Sequence, residues 1–268
     1  MSKMSNDNLN PEKQTISLCM IVKNEEQFLE KCLNSVKNLV DEIIIVDTGS
    51  VDKTKEIAKK FTDKIFDFVW CDDFSVARNE SLKHATGDWI LILDADEVIA
   101  EHDFALIQKA ILDKNSNGYI LHQLNYTNDT HPRAVKVNNP NFNYAIISPI
   151  TRLFRNSKNI YFDFFVHESV DPSLMKMNSK VSGLSVAIHH YGQSKQNIFN
   201  KQKEEYYFKL VLKNIEKYPW HARSHYIAAV GFNNLKNDLD KAIYHCKKAI
   251  SLQPDNIKFQ KYLKFIMQ

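Results

Sequence analysis

Residues Asp88 to Glu97 read DWILILDADE, a strand-length apolar run that ends in two aspartates. A continuous apolar run is typical of a parallel strand whose two faces are both covered by helices. Asp94 and Asp96 would then lie at the carboxyl edge of the sheet, where open α/β sheets bind ligands. Carboxylate oxygens are preferred ligands of Mg²⁺ and Mn²⁺. An isolated Asp-x-Asp is more often a turn or a helix cap, so the flanking sequence decides its meaning.

The sequence before this run alternates between strand and helix patterns. This β-α-β-α-β-α-β order predicts an α/β fold with a mainly parallel sheet and right-handed crossovers. The predicted strands are residues 16–22, 43–46, 65–70 and 89–93, and the predicted helices are residues 25–38, 52–61 and 76–84. Further strands are expected at residues 119–126, 150–154 and 181–189, with a long polar loop over residues 128–143.

We expect three parts along the chain: a polar tail over residues 1–14, an α/β domain over residues 15–195 and a small all-α region over residues 196–268. Within the last part, residues 223–256 match a tetratricopeptide unit, whose small residues allow two helices to pack closely. The matching positions are Tyr226, Ala229, Ala242, Ala249 and Pro254. Val230 and Asn233 depart from the repeat pattern, and a plain helical hairpin is the alternative.

Composition restricts the class of protein. With 44% hydrophobic and 25% charged residues, the chain is typical of a globular protein, and a net charge of +3 is too weak to indicate nucleic-acid binding. The polar start resembles no signal peptide, and no run approaches the roughly 18 apolar residues of a membrane-spanning helix. We therefore expect a cytoplasmic protein with at most peripheral contact at the inner face of a membrane. The four cysteines form no C-x-x-C pair and are expected to be buried free thiols.

Polar residues follow two other predicted strands. Strand one ends in Val22-Lys23-Asn24-Glu25-Glu26, and strand two ends in Asp47-Thr48-Gly49-Ser50. Because the carboxyl ends of parallel strands share one edge, these groups should converge with Asp94 and Asp96. Asp47 could accept hydrogen bonds from a base or a ribose. Its alternative role is to cap the helix that begins near Asp52.

A dinucleotide-type phosphate loop is absent from the sequence. The chain has only six glycines, with no G-x-G-x-x-G after strand one and no Walker loop. Phosphates would therefore be bound by a divalent cation and an arginine. Arg78 is the candidate, because its planar guanidinium suits a diphosphate. The alternative is an ordinary ion pair with Glu80, Asp72 or Asp73.

Four segments, in their order and spacing, resemble a family 2 glycosyltransferase of the GT-A fold: SLCMIVKNEE, DEIIIVDTGSVDKT, WCDDFSVARNES and GDWILILDADE. More narrowly, they resemble the subgroup of lipopolysaccharide-core β-1,4-glucosyltransferases and repeat-bearing relatives. The resemblance covers roughly the first 200 residues, and a tetratricopeptide-like tail is common in that subgroup. It implies a GT-A domain that binds a nucleotide-diphosphate sugar through a divalent cation and transfers the sugar with inversion.

The resemblance also implies roles for single residues in the nucleotide half. Val22, Asn24 and Glu25 would line the nucleotide pocket. Asp47 would contact the base, with uracil favoured, and Arg78 would approach the ribose or the phosphates. These five residues form the expected nucleotide site, together with the Asp94-Ala95-Asp96 segment.

In that segment, Asp96 is the expected ligand of Mg²⁺ or Mn²⁺, and Asp94 would touch the ribose or a metal-bound water. Ala95 lies between them in the nucleotide-sugar site. The metal would neutralise charge on the departing diphosphate. Histidine completes the metal shell in some GT-A enzymes, and a nitrogen ligand favours Mn²⁺. His189 and His190 end a predicted strand and should face opposite ways, so we select His190; two ordinary edge histidines are the alternative.

The acceptor half requires a general base that deprotonates the acceptor hydroxyl. RLFRN at residues 152–156 and FFVHES at residues 164–169 resemble the later block of the subgroup. We assign Glu168 as the base, with His167 as second choice or orienting partner. Asp163 is a rival, because the base in this family is more often an aspartate.

The sequence thus predicts a metal-dependent inverting glycosyltransferase. It would move a hexose from a nucleotide-diphosphate sugar, with UDP favoured, to a glycan such as the lipopolysaccharide inner core. A peptide or protein acceptor, including cysteine S-glycosylation, is the alternative among enzymes. A catalytically inactive GT-A and repeat protein that binds a partner through its helical tail is the alternative among non-enzymes.

Overall fold

The computed structural model of the chain describes residues 13–131, 133–192 and 201–268. These residues form two compact units. The first holds the described residues up to 69, from 77 to 161 and from 170 to 192, and the second holds residues 70–76, 162–169 and 201–268. Most of the predicted N-terminal tail, and the predicted boundary after residue 195, lie outside the described residues.

The first unit contains the predicted parallel strands. They are β1 (Ile16–Val22), β2 (Glu42–Asp47), β3 (Ile65–Asp67) and β4 (Trp89–Ile92), which pair in parallel in the order β3-β2-β1-β4. The helices along this part of the chain are α1 (Leu29–Val36), α2 (Thr54–Ala58) and α3 (Phe74–Lys83). Every residue of β4 is buried, as the apolar run predicted. The predicted α/β fold is therefore confirmed.

The sheet continues beyond β4 with mixed pairing. Its further strands are β5 (Glu97–Ile99), β6 (Gly118–Thr127), β7 (Ala134–Lys136), β8 (Tyr144–Arg155) and β9 (Val181–His190). The full order is β3-β2-β1-β4-β8-β6-β9-β5, with β7 on β8. Helices α4 (Phe104–Ala110) and α5 (Asp171–Lys176) lie between these strands in sequence. Strand β8 is antiparallel to β4. Strand β5 is antiparallel to β9, and in this pairing residue 97 lies opposite residue 190.

Several boundaries differ from the sequence prediction. Helix α1 begins at Leu29 rather than residue 25, because the N–H groups of Asn24, Glu25 and Glu26 bond to side chains between the end of β2 and the first residue of α2. Strand β8 begins six residues before the predicted position, at Tyr144, and part of the expected long loop forms β7. Cys71 is exposed, whereas the other three cysteines are buried as expected.

The second unit is built around four helices: α6 (Lys201–Lys217), α7 (Ala222–Asn234), α8 (Leu239–Leu252) and α9 (Ile257–Ile266). Fully buried alanines lie on α7 and α8, among them the repeat positions Ala229, Ala242 and Ala249. Gly231 of α7 lies against the ring of Phe208, where a Cβ atom would collide. The all-α character of this region is confirmed, and its identity as a tetratricopeptide unit stays a prediction. None of the helices in the described ranges has the length and apolar character to cross a membrane.

Glu42, at the start of β2, holds the amino-terminal edge of the parallel strands together. Its carboxylate accepts hydrogen bonds from Ser17 of β1, from Lys64, and from the backbone N–H groups of Thr86 and Gly87 just before β4. Burial alone would raise the pKa of Glu42, but these hydrogen bonds outweigh burial and lower the pKa to about 2. The ionised carboxylate therefore stabilises the fold.

We expect stability to depend on the ionisation of Glu42. Because its pKa is lower in the folded than in the unfolded chain, its contribution is complete above about pH 4.5 and is lost as the pH falls towards 2. Glu42→Gln should lower the free energy of unfolding near pH 7 by about 1–2 kcal/mol and flatten this acid decrease. Urea unfolding at several pH values measures both. Glu56→Gln, at an exposed position of α2, is the control; equal acid profiles for both variants would contradict the prediction.

Candidate functional site

The turn after β2 fixes Asp47 at the carboxyl edge of the sheet. Asp47 is fully buried, and its Oδ1 accepts the backbone N–H groups of Gly49 and Ser50, each at 2.8 Å. Gly49 has a φ of 104°, a conformation that favours glycine. The Oδ2 atom of Asp47 is also buried but has no hydrogen-bond partner among the described residues. A buried carboxylate oxygen in this state is a natural acceptor for a ligand donor, because leaving it unpaired costs free energy.

The loop after β1 is bonded to the loop after β2. The N–H of Asn24 donates to Ser50 Oγ at 2.9 Å, and Asn24 Oδ1 accepts the N–H of Val51 at 2.9 Å. Asn24 has a φ of 55°, which directs the chain back towards β2. The carbonyl of Val22, at the end of β1, accepts the N–H of Thr48 at 2.9 Å. Val22, Asn24, Glu25 and Asp47 are thus brought to one edge of the first unit.

Asp94 lies between two arginines. Its Oδ1 accepts from Arg78 Nη2 at 2.5 Å, and its Oδ2 accepts from Arg152 Nη2 at 2.8 Å. Arg78 comes from α3 and Arg152 from β8, and both are nearly inaccessible to solvent. Burial alone would raise the pKa of Asp94, but the charges of Arg152 and Arg78 outweigh burial and hold the pKa far below its usual range. Asp94 is therefore ionised, with both oxygens engaged by cations of the protein.

Glu97 extends this charge cluster into the core. It is fully buried, and its Oε2 accepts the backbone N–H of Asp94 at 2.7 Å. Its Oε1 accepts from Gln123 at 2.5 Å and from Arg152 Nη2 at 3.3 Å. Burial raises the pKa of Glu97 and the charge of Asp94 adds to the effect, although Arg152 opposes it. Glu97 thus fixes the backbone at the start of the Asp94-Ala95-Asp96 segment.

Asp96 and His190 form a second polar pair. Asp96 Oδ1 is 3.4 Å from His190 Nε2, and the other ring nitrogen of His190 is 2.8 Å from Asn125 Oδ1. The pairing of β5 with β9 brings these residues together. Burial lowers the pKa of His190, but the hydrogen bond and charge of Asp96 outweigh burial, so the net pKa is raised. His189 points away from this pair, and its Nδ1 lies 2.7 Å from the Tyr126 hydroxyl.

The pair Asp96–His190 fits a divalent cation. A Cβ atom at Gly192 would collide with Asp96 Oδ2 and lie 2.7 Å from His190 Nε2, so the glycine leaves space beside both groups. Asn125 Oδ1 accepts the proton of Nδ1, which leaves Nε2 of a neutral ring to act as a ligand. In the described part of the chain, no three His, Cys, Asp or Glu side chains could hold a metal by themselves. The remaining ligands would thus be phosphate and water oxygens, which Mg²⁺ and Mn²⁺ accept readily.

An aromatic cavity of about 290 Å³ opens beside Asp96. Its lining includes Phe28, Lys31, Val98, Phe142 and Tyr191. Tyr191 and Phe142 both stack near Tyr126, with ring centroids 5.3 Å and 5.4 Å away, and Lys31 Nζ lies 4.0 Å from the Tyr191 ring centroid. Apolar faces with a few polar groups are typical of sites for small organic ligands.

The three candidate bases belong to the second unit, in a segment we call the base loop (residues 162–169). The Asp163 and Ser169 backbones exchange two hydrogen bonds of 3.0 Å and 3.1 Å, which close this loop. Asp163 Oδ1 accepts from the Tyr218 hydroxyl at 3.5 Å. Although the His167 side chain reaches solvent, desolvation by the surrounding protein, followed by the charges of neighbours such as Arg223, lowers its pKa to about 4. His167 is therefore neutral at pH 7, and Glu168 is its neighbour in the loop.

Sequence reasoning missed four polar residues of the first unit: Arg152, Glu97, Gln123 and Asn125. Arg152 and Glu97 were present in the quoted segments RLFRN and DWILILDADE but received no role. The signal that could have identified Glu97 is a charged residue at the start of a short apolar strand, since buried charges are almost always paired. Gln123 and Asn125 lie at alternate positions of β6 and carried no local signal.

The chain is similar in sequence to proteins of one known family. The sequence model described as glycosyl transferase family 2 matches residues 17–177. A TPR repeat-containing protein of Synechococcus elongatus is 38% identical over 189 residues, which cover 68% of this chain and 43% of the relative. An uncharacterized glycosyltransferase of Rickettsia bellii is 30% identical over 185 residues, 66% of this chain and 59% of the relative. The chain thus spans about half the length of these curated relatives.

Among solved structures, the chain is similar to residues 1–349 of TarS from S. aureus. The TM-score is 0.52 at 19% sequence identity, and the match covers 90% of this chain and 81% of that chain. At this level of identity, the similarity concerns the fold alone.

The charge cluster generates a stability prediction. Arg152→Met should lower the free energy of unfolding by about 3–5 kcal/mol, because Glu97 would remain buried without its cation. Arg152→Met combined with Glu97→Gln should recover part of this loss, since no buried charge is then uncompensated. Urea unfolding followed by circular dichroism measures both. The control is Arg133→Met at an exposed position. If the second substitution adds to the loss instead of reducing it, the cluster does not act as described.

Proposed function

The chain belongs to glycosyl transferase family 2, and from this premise we propose that it is a metal-dependent inverting glycosyltransferase. It would transfer a hexose from a nucleotide-diphosphate sugar to a glycan acceptor. The observation that carries the proposal is the convergence of Asp47, Asp94 and Asp96 at the carboxyl edge of β2 and β4. Each acidic group there has a different environment, and each environment suits a different part of such a donor.

The unpartnered Oδ2 of Asp47 supports binding of the base. A carboxylate oxygen matches an N–H donor, and uracil presents one on its imide edge. Val22, Asn24 and Glu25 would line the same pocket, because their loop is bonded to the turn that carries Asp47. Uracil is therefore the proposed base of the donor nucleotide. Arg78 and Asp94 would lie towards its ribose and phosphates.

Asp96 and His190 would hold the cation. The proposal favours Mn²⁺ over Mg²⁺, because a histidine nitrogen is a softer ligand than an oxygen. When bound, the metal supplies Lewis-acid stabilisation of the departing diphosphate. Asn125 would hold the imidazole of His190 in the tautomer that leaves Nε2 free to bind the cation. Gly192 would leave room for the cation beside it. Asp94 would act as a neighbouring charge, since Arg78 and Arg152 engage its two oxygens.

Glu168 would act as the general base. Its carboxylate would take the proton of the acceptor hydroxyl while the acceptor oxygen bonds to the anomeric carbon. The bond from that carbon to the diphosphate oxygen would break, and the diphosphate would leave with the electron pair. A pKa of about 4 makes His167 a weak base at pH 7, which supports an orienting role for this residue. Asp163 remains the rival, with one oxygen near the Tyr218 hydroxyl.

For the acceptor, we propose a glycan such as the lipopolysaccharide inner core. The aromatic cavity beside Asp96 supports a sugar ligand, because the C–H faces of a sugar ring fit against apolar rings. A peptide acceptor, and a role of the helical region in binding it, would be the outcome if glycans fail to react. Donor-dependent transfer to a panel of glycans and cysteine-containing peptides separates the two.

Donor binding tests the metal assignment directly. We expect one nucleotide sugar, from a panel of UDP-glucose, UDP-galactose, UDP-GlcNAc and GDP-mannose, to raise the melting temperature with Mn²⁺ and not with EDTA. Asp96→Asn should abolish this metal-dependent rise and leave the melting temperature of the protein alone almost unchanged. Asp63→Asn, at an exposed position before β3, is the control. An unchanged Mn²⁺-dependent rise in Asp96→Asn would exclude Asp96 as a ligand, and no rise with any donor would favour a catalytically inactive binding protein.

Glu168→Gln tests the base assignment. The variant should bind the donor as the wild type does but lose transfer by a factor of about 10² to 10⁴, as expected when a general base is removed. UDP release from the donor of the panel, with water or glycan as acceptor, measures the rate. Glu216→Gln at an exposed position of α6 should keep the wild-type rate. The same loss in Asp163→Asn, with an active Glu168→Gln, would transfer the role to Asp163.

A further inference from the structure

The base loop has a backbone conformation that needs external support. Two of its residues, Phe164 and His167, have positive φ angles of 81° and 56° although neither is glycine. Such conformations cost about 1–3 kcal/mol each and persist only when surrounding contacts impose them. His167 directly precedes Glu168, so the strained backbone determines the direction in which the Glu168 side chain leaves the loop.

A single side chain of α6 supplies much of that support. Asn214 is 1% exposed, and its carboxamide bonds to backbone groups of two successive residues of the base loop. Its Oδ1 accepts the N–H of Phe165 at 2.7 Å, and its Nδ2 donates to the carbonyl of Val166 at 2.9 Å. Only a carboxamide offers one acceptor and one donor in this arrangement, and the two partners fix its orientation.

Two neighbouring contacts act on the same loop. The ring of Phe164 is buried and stacks on His221, with centroids 3.9 Å apart and planes at 12°. The carbonyl of Phe165 accepts the N–H of Phe74 at 3.0 Å. Backbone groups on both sides of the peptide bond between Phe165 and Val166 are therefore held in place. The next residue, His167, takes up the left-handed conformation.

We propose that Asn214 is a positioning residue for the general base. It fixes backbone groups of the loop up to the peptide unit that joins Val166 to His167, and thereby sets the orientation of the Glu168 carboxylate. This inference rests on the proposed function, because it requires Glu168 to be the base.

The test is a double-mutant cycle between Asn214 and Glu168. Asn214→Asp keeps the size and the acceptor but removes the donor to Val166. We expect this variant to lower kcat at least tenfold, because small displacements of a catalytic group reduce rates strongly. The KM for the donor should change less than twofold. In the Glu168→Gln background, the same substitution should have no further effect on kcat, since the group that it orients is already gone. UDP release from UDP-glucose with Mn²⁺, or from the donor selected by the panel, provides the rates.

Two controls separate positioning from general destabilisation. Ala249→Gly in α8 replaces a fully buried alanine and destabilises the same unit without contact to the base loop. It should lower the melting temperature but keep kcat at an assay temperature below unfolding. If Asn214→Asp is unfolded at that temperature, Asn214→Ser, whose shorter side chain cannot bond to both Phe165 and Val166, replaces it in the cycle.

The outcomes are distinct. A loss of kcat in the wild-type background only, with an unchanged KM for the donor, supports the proposal. An equal fold loss with and without Glu168 overturns it and leaves the base assignment intact. Wild-type activity of Glu168→Gln alone overturns the base assignment, and the positioning role falls with it.

Discussion

The salt-bridged cluster of Asp94, Arg78, Arg152 and Glu97 is the interaction on which the first unit depends. It joins the end of β4 to α3, β5 and β8, and thus links the parallel half of the sheet to the mixed half. Burial of an ion removes its hydration, and this free-energy cost is offset only when every member of the cluster has a partner. The cluster therefore tolerates little displacement of any of its four elements. It keeps Asp94 ionised and fixes the backbone of the segment that carries Asp96.

The sequence was sufficient for much of this architecture. Continuous apolar runs located β1, β2 and β4, because a strand covered on both faces needs no polar positions. The geometry of parallel sheets then predicted that the polar groups after these strands lie at one edge of the sheet. The alternation of strand residues also separated His190, which lies beside Asp96, from His189, which contacts Tyr126. These features depend on local periodicity and are therefore visible without the fold.

Other features depend on pairing between distant segments, which local sequence does not encode. Arg152 meets Asp94 only because β8 is antiparallel to β4, and nothing near residue 152 indicates that partner. The residues 144–149 have mixed exposure, which hid the first half of β8. The segments 70–76 and 162–169 were expected in the α/β domain, yet they belong to the helical unit. There, Tyr206 and Asn214 of α6 bond to Asp72, Phe165 and Val166, and such side-chain contacts have no periodic signature.

The pairing of β5 with β9 has a consequence for the synthesis of the protein. Asp96 precedes β5 and His190 ends β9, so the two residues become neighbours only when almost the whole first unit has been translated. Pairings between distant residues form slowly, because the loop entropy is lost before the contact contributes. A nascent chain can bury β1, β2 and β4 early, with Asp47 and Asp94 near their final places. The imidazole arrives last, so the proposed cation site would be complete only when the fold of this unit is complete.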